Sequence, residues 1–179
     1  EQLVMSLAEY IGRVGTGILN PNETNCKMVR LPHPILTNSQ LDILQNIRYK
    51  GFNTRKLSIT FTPSSEESEH PGEALREALD KLCHDAEQSV DEGYNYIILS
   101  DRDVDKDHIA IPSLLAVSAV HHYLINAGKR VQTALIVESG EIREVMHAAL
   151  LLGYGASALC PYMVYAILDD LVKKGKIQE

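Results

Sequence analysis

Across 179 residues, Lys and Arg total 17 against 24 Asp and Glu, a formal charge of −7, so there is no basic excess to neutralise a phosphate backbone and nucleic-acid binding is excluded as a main role. A hydrophobic content of 45% with 23% charged residues belongs to an ordinary globular chain of one domain's length and excludes disorder throughout. The longest uncharged stretch, residues 109–128, is interrupted by Pro112, two serines, His121, His122 and Asn126, and does not make a bilayer span.

Residues 1–15 carry Glu1, Glu9 and Arg13 and lack the basic start and unbroken apolar core of a secretory signal. The first residue is not Met, as expected of a piece cut from a longer polypeptide. Up to residue 56 the pattern is irregular, and 1–56 reads as a lead-in segment, with short helices, that packs on or leads into the domain behind it. Within it a short helix is expected over 3–11, with turns at Gly12, Gly15 and Gly17. Breaks follow at Asn20-Pro21-Asn22 and at Leu31-Pro32-His33-Pro34, where His33 between two prolines marks a rigid extended recognition or linker segment. A helix over 38–49 is capped by Thr37 or Asn38.

From residue 57 onward strands and helices alternate. Leu57-Ser58-Ile59-Thr60-Phe61 alternates apolar and polar residues, as a strand with one wet face does, and 63–72 is a polar loop. Residues 73–93 place Leu75, Leu79, Leu82, Ala86 and Val90 at steps of three and four, an amphipathic helix stopped by Gly93. Residues 96–99 are continuously apolar and fit a central strand covered on both faces. Pro112 opens a helix that runs through Leu114, Val117, His121 and Leu124 to Gly128. A third strand over 133–137, a helix over 141–152, a strand over 156–160 and a helix over 162–174 complete the series. Strands joined by helical crossovers run parallel, so 57–179 is expected to be an α/β domain with a parallel sheet of about four strands.

Such sheets put ligand chemistry at the carboxyl ends of their strands. Three polar loops meet there: Ser100-Asp101-Arg102-Asp103-Val104-Asp105-Lys106-Asp107-His108, then Glu138-Ser139-Gly140-Glu141, then Cys160-Pro161-Tyr162. They form either a shared site or a set of wet loops, with Ser139 and Glu141 complementing a helix dipole, and loop polarity alone favours the wet loops. Asp101, Asp103 and Asp105 begin a calcium-loop pattern that fails at Lys106, where Gly is required, and at Pro112, where Glu is required. Arg102 and Lys106 are therefore expected to pair with their neighbours in a solvated loop, and Arg102→Ala to change folding by only about 0–1 kcal/mol. The string from Gly153 to Ala158 spells a dinucleotide fingerprint but closes a helix instead of opening one.

His121 and His122 stand about 100° apart on their helix and cannot clasp one metal. His121, on the face of Leu114 and Val117, is expected to be a hydrogen-bonded core or interface histidine. Cys26, Cys83 and Cys160 match neither a disulfide framework nor a metal motif, and are expected to be reduced thiols in a cytosol-like compartment. The sequon Asn22-Glu23-Thr24 finds no other support for secretion. No nucleophile elbow, phosphate loop or thiol pair occurs.

Arg30-Leu31-Pro32-His33-Pro34-Ile35-Leu36-Thr37, Ile98-Leu99-Ser100-Asp101-Arg102, Ile111-Pro112-Ser113-Leu114-Leu115-Ala116-Val117 with His121-His122, Val137-Glu138-Ser139-Gly140-Glu141-Ile142-Arg143-Glu144-Val145, Leu152-Gly153-Tyr154-Gly155-Ala156 and Pro161-Tyr162 together resemble the central domain of the glutamate synthase large chain. The resemblance runs in one order over nearly the whole chain. It implies a cytoplasmic (or, in a photosynthetic eukaryote, plastid) oxidoreductase of ammonia assimilation. In that enzyme a glutamine amidotransferase domain, beginning with a catalytic Cys, is joined to an FMN-binding barrel with an iron–sulfur cluster. Ammonia passes through an internal tunnel to 2-oxoglutarate, and the imine is reduced to glutamate.

The resemblance puts FMN, the cluster and every catalytic residue outside this chain, and it makes the amidotransferase and FMN-binding domains of the same polypeptide its partners, with no nucleic acid and no membrane. Ser100, Asp101, Arg102, Glu138, Ser139, Gly140 and Glu141 are then candidates for interdomain contacts or for support of the ammonia path. The competing reading is a stand-alone α/β enzyme acting on an anionic metabolite through the Asp101/Arg102 and Glu138/Glu141 loops. A plain interaction module is a third.

Overall fold

The computed structural model describes residues 6–14, 23–64, 70 and 72–177. In chain order they form β1 (Glu9–Gly12), β2 (Met28–Leu31), α1 (Asn38–Gln45), β3 (Thr54–Ser58), β4 (Thr60–Phe61), α2 (Glu73–Asp91), β5 (Tyr96–Ser100), β6 (Ile109–Ala110), α3 (Ser113–Asn126), β7 (Ala134–Glu138), α4 (Val145–Gly153), β8 (Ala158–Cys160) and α5 (Tyr162–Lys173). Strands β3, β5, β7 and β8 make one parallel sheet in that order, the α/β architecture expected from the alternation of strands and helices. Residues 1–5, Gly15, Gly17, the Asn20-Pro21-Asn22 break with the sequon's Asn22, and most of 65–71 lie outside the described residues.

The register sets the chemistry of the two faces. Leu57, Leu99, Val137 and Leu159 form one row across the sheet, and Ser58, Ser100, Glu138 and Cys160 form the next. Successive rows face opposite sides. The Leu57 row meets α2, α3 and α4 in a core that includes Leu82, Ala86, Val117, Val120 and Leu151. On the other face Ile98, Ile136, Ala158 and Cys160 meet Ile11 of β1, Leu31 of β2 and Leu41 and Leu44 of α1. The first part of the chain thus supplies the cover for this face together with Tyr162 and Tyr165 of α5.

Several boundaries differ from expectation. No helix forms over the described part of 3–11: Glu9–Gly12 is a strand paired antiparallel with Met28–Leu31. Ile11 and Leu31 bury against the sheet, and Tyr96 Oη donates to the Ile11 carbonyl at 3.2 Å, so tertiary packing overrides a weak helical pattern. The strand expected over 57–61 divides. Its parallel part begins at Thr54, and Ile59 changes partner, its N–H bonding Ser100 O at 2.9 Å and its carbonyl accepting from Ile111 N at 2.7 Å, after which β4 pairs antiparallel with β6. Helix α1 ends at Gln45 and not at 49, though its capping box is complete, with Thr37 Oγ1 accepting from Gln40 N at 3.2 Å and Gln40 Oε1 from Thr37 N at 2.9 Å. Helix α4 begins at Val145 because a turn at Gly140-Glu141 and the extended backbone of Glu144 precede it, and Pro112 sits at the cap of α3 with Ser113 as the first helical residue.

The proline-flanked segment runs beside β8. Leu36 N donates to Leu159 O at 2.7 Å, Leu159 N donates to Pro34 O at 2.8 Å, and Ile35 bridges Leu159 in parallel. This covers a sheet edge that would otherwise offer free hydrogen-bonding groups.

At the opposite end of the strands, half-buried His121 accepts at Nδ1 from Arg130 Nε at 2.8 Å, while Arg130 also donates to Thr133 O at 2.7 Å and Gly155 O at 2.6 Å. Burial first, then the charges of Arg130 and His122, hold the His121 pKa below its ordinary value. Gly155, at φ +108°, lies so close that an added Cβ would stand 2.1 Å from His121 Nδ1.

Candidate functional site

The three polar loops do converge at the carboxyl edge, but their central residues are not wet. Ser100, Asp101, Glu138 and Ser139 are buried, Asp101 at 4% and Glu138 at 3% exposure. Burying a carboxylate is tolerated only where donors surround it, and two separate clusters meet that demand.

The first is centred on Glu138. Its Oε2 takes the Ser100 hydroxyl at 2.6 Å and the Lys56 ammonium at 2.9 Å, and its Oε1 takes Arg102 Nε. Burial alone would raise the Glu138 pKa, yet the hydrogen bonds from Ser100, Lys56 and Arg102 outweigh it and hold the group below its ordinary value. Arg102 Nη2 reaches back to Asn38 Oδ1 at 2.9 Å, and the guanidinium lies 4.2 Å from the centre of the Tyr162 ring. Asn38 Oδ1 also accepts from Cys160 Sγ at 3.5 Å. Burial, with the Glu138 charge second, pushes the Cys160 thiol up to about 12, which makes it a structural thiol and not a nucleophile.

The second cluster is centred on Asp101, whose carboxylate accepts from Ser139 Oγ at 2.6 Å and from Gly140 N at 3.0 Å. The Tyr162 hydroxyl completes it, pushed up to about 12 by burial and by its hydrogen bond to Asp101. Gly140 has no space to spare: an added Cβ would stand 3.1 Å from the Tyr162 hydroxyl.

Glu141 touches the second cluster only through its backbone, its N–H donating to Ser139 Oγ at 3.1 Å, and its side chain belongs to neither. Its Oε2 accepts from Ser113 N at 2.7 Å, capping α3 from another loop because Pro112 at the cap has no side-chain acceptor. The dipole that Glu141 complements is thus that of α3. It also borders a cavity of about 320 Å³ between α3 and α4, lined by Leu114, Ile142, His147 and Leu150 among others.

Arg102 does not pair with its sequence neighbours; it crosses to Glu138, 36 residues away. The rest of its loop behaves as a solvated turn, with Lys106 3.5 Å from Asp107 and Asp105 accepting from Asp107 N, His108 N and His108 Nδ1. Two members of the site escape a reading of the loops alone. Lys56 lies on the strand itself, on the Ser58 face, so running the alternation of 57–61 backward one step exposes it. Asn38 is the first residue of α1, brought in by the segment beside β8, and nothing local in the sequence marks it.

Every acid in the two clusters is matched by donors from the same clusters, and both cations near Glu138 are already engaged by it. The arrangement fastens six elements together, α1, β3, β5, β7, β8 and α5; it does not present a receptor for an anion. Nor do the residues suit an iron–sulfur cluster. Cys83 and Cys160 lie in cores on opposite faces of the sheet, burial pushes Cys83 up to about 11, and no three His, Cys, Asp or Glu among the described residues converge on one point. The N–H donors and cations that the phosphate of a flavin nucleotide needs are taken up at the strand ends by Asp101 and Glu138.

A family model described as the glutamate synthase central domain matches residues 1–179. The chain is 38% identical to the NADH glutamate synthase of Schizosaccharomyces pombe over 99% of its own length and 8% of that protein's. It is 37% identical to the NADPH glutamate synthase large chain of Bacillus subtilis over 99% of its length and 11% of the relative's. With the chloroplastic ferredoxin-dependent glutamate synthase of Spinacia oleracea it shares 37% identity over 91% of its length and 10% of the relative's. The chain therefore spans about a tenth of the length of these relatives.

Proposed function

The chain belongs to the glutamate synthase central-domain family, and on that premise we propose that it is the connecting domain of a glutamate synthase large chain. In this reading it links a glutamine amidotransferase domain to an FMN- and iron–sulfur-bearing synthase domain, holds them in the geometry through which ammonia passes, and performs no chemistry of its own. The observation that carries the reading is the closed polar network around Glu138 and Asp101, which ties Asn38 and Lys56 to the strand ends and to Tyr162 of α5. A domain that transmits position between two active sites needs stiffness at such a junction, and buried, fully satisfied polar networks supply it. The lead-in read over 1–56 then packs on the α/β domain read over 57–179, with Thr54, Arg55 and Lys56 counted to the domain because they are part of β3. Ser100, Asp101, Arg102, Glu138, Ser139, Gly140 and Glu141 act as support for the interdomain path.

Relatives named for NADH, NADPH and ferredoxin resemble this span to a similar degree, so the choice of electron donor is made elsewhere in the enzyme. Among the described residues no helix is long and apolar enough to cross a membrane, and the proposed setting is the cytoplasm, or the plastid stroma in a photosynthetic eukaryote. The test is to place Arg102→Ala and Glu138→Gln in the full-length enzyme and to measure glutaminase turnover, ammonia-dependent synthesis and glutamine-dependent synthesis. Glutamine-dependent synthesis is expected to fall furthest. Equal loss of all three activities, or no loss in any, overturns the coupling role.

A further inference from the structure

Helix α4 has the sequence Val-Met-His-Ala-Ala-Leu-Leu-Leu-Gly, without one charged residue. Its single fully buried residue is Leu151, while Val145 is 86%, Met146 62% and Leu150 42% exposed. Ala149 and Gly153 are exposed as well. At 100° per residue these five positions span an arc of about 140° on the outside of the helix. The contrast with α2 is sharp, since the exposed positions there include Arg76, Glu77, Asp80, Lys81, His84 and Gln88. A helix polar on its outer face is at home in water, and one apolar on every side belongs inside a protein.

The shape of the face is also specific. Val145, Ala149 and Gly153 form a row with spacing four that descends to small residues, which lets another helix approach closely along it. On one flank Leu150 continues into the cavity between α3 and α4, whose polar end is Glu141. An apolar element lying on α4 thereby touches the residue that caps α3.

We propose that the outer face of α4 is covered in the parent polypeptide by an apolar helix or loop from outside this span. The inference rests on the connecting-domain reading and names the surface through which the connection is made. The relatives are about ten times longer than the stretch they share with this chain, so ample polypeptide is available as the occupant. A tethered element whose linker spans the distance also has an effective concentration set by that linker, millimolar for a short flexible one, which exceeds that of a second copy at ordinary enzyme concentrations.

Met146 is a built-in reporter, because methionine oxidation follows exposure. In the full-length enzyme, peroxide or hydroxyl-radical footprinting read by mass spectrometry should oxidise Met146 roughly tenfold more slowly in the native protein than in the urea-unfolded one. The protection should be unchanged on dilution. Val145→Lys, at a side chain nearly free of contacts within this domain, should restore fast oxidation while leaving the secondary structure intact. Oxidation of native Met146 at the unfolded rate overturns the proposal, as does protection that disappears on dilution, which assigns the face to a second copy. Protection that persists in Val145→Lys overturns it too, since the occupant then does not lie on this face. The three-activity pattern of the Arg102 and Glu138 variants judges the connecting-domain reading separately, because neither residue lies on the outer face of α4.

Discussion

The ammonium of Lys56 on β3 crosses β5 to lie 2.9 Å from the carboxylate of Glu138 on β7, with the Ser100 hydroxyl between them bonded to the same oxygen. Both side chains point to the face covered by β1, β2 and α1, so the contact joins two strands and closes the polar end of that core.

Removing Glu138 leaves two cations and a hydroxyl without their acceptor. Breaking a buried ion pair from one side costs about 3–5 kcal/mol, reduced here because Lys56 and Arg102 can each turn partly to water. Glu138→Ala is expected to lower unfolding free energy by about 2–3 kcal/mol. Arg102 is 39% exposed at its side chain, and Arg102→Ala should cost about 1–2 kcal/mol, more than its position in an acidic loop implied. Urea unfolding of each variant checks both values, and an Arg102→Ala change within error of zero returns that residue to the solvated loop.

Legibility in the sequence followed burial. Strands β5 and β7 are covered on both faces and read as apolar runs, whereas β3 lies at an edge, and Thr54-Arg55-Lys56 hides its first half. Strand β1 is four residues, too short for alternation to outweigh a helical pattern, and β2 is four residues that end at the proline break. The loops at the carboxyl edge were legible by position, because the topology sends every strand end to one side. Their dryness was not, since whether Glu138 is wet or buried depends on Lys56 and Asn38, which lie 82 and 100 residues earlier.

Acid should destabilise the fold in two steps. His121 has a depressed folded pKa, so its contribution is present above the ordinary histidine value of 6.5 and is lost as pH falls from there through the folded value. Glu138 is likewise depressed, from an ordinary value of 4.5, so its contribution fades only below that. Stability measured from pH 8 to 3 should therefore fall first below 6.5 and again below 4.5. His121→Gln should flatten the upper step and Glu138→Gln the lower one. A single transition unmoved by either variant contradicts both assignments.

Gly155→Ala places a methyl carbon against His121 at a backbone angle that side chains avoid. Strain and overpacking together should cost about 3 kcal/mol. His121→Ala in the same chain makes room for the methyl but leaves the backbone strain, so the double variant should recover part of the loss and not all of it. Additive effects in the double-mutant cycle are the outcome that contradicts a direct clash.

Tyr162 serves both polar clusters at once, its hydroxyl bonding Asp101 and its ring lying under the Arg102 guanidinium. The two roles separate by substitution. Tyr162→Phe keeps the ring and removes one donor from a carboxylate that retains Ser139 and Gly140 N, for an expected loss of about 1 kcal/mol. Tyr162→Leu removes the ring as well, together with about 0.5–1 kcal/mol of cation–π attraction and the packing against α1 and the sheet. The Leu variant should thus be less stable than the Phe variant by about 1–2 kcal/mol, and the difference should shrink when Arg102 is already Ala, because the guanidinium is then absent in both. Equal stabilities for Phe and Leu in the presence of Arg102 contradict the stacking, and a Tyr162→Phe change of zero contradicts the hydrogen bond to Asp101.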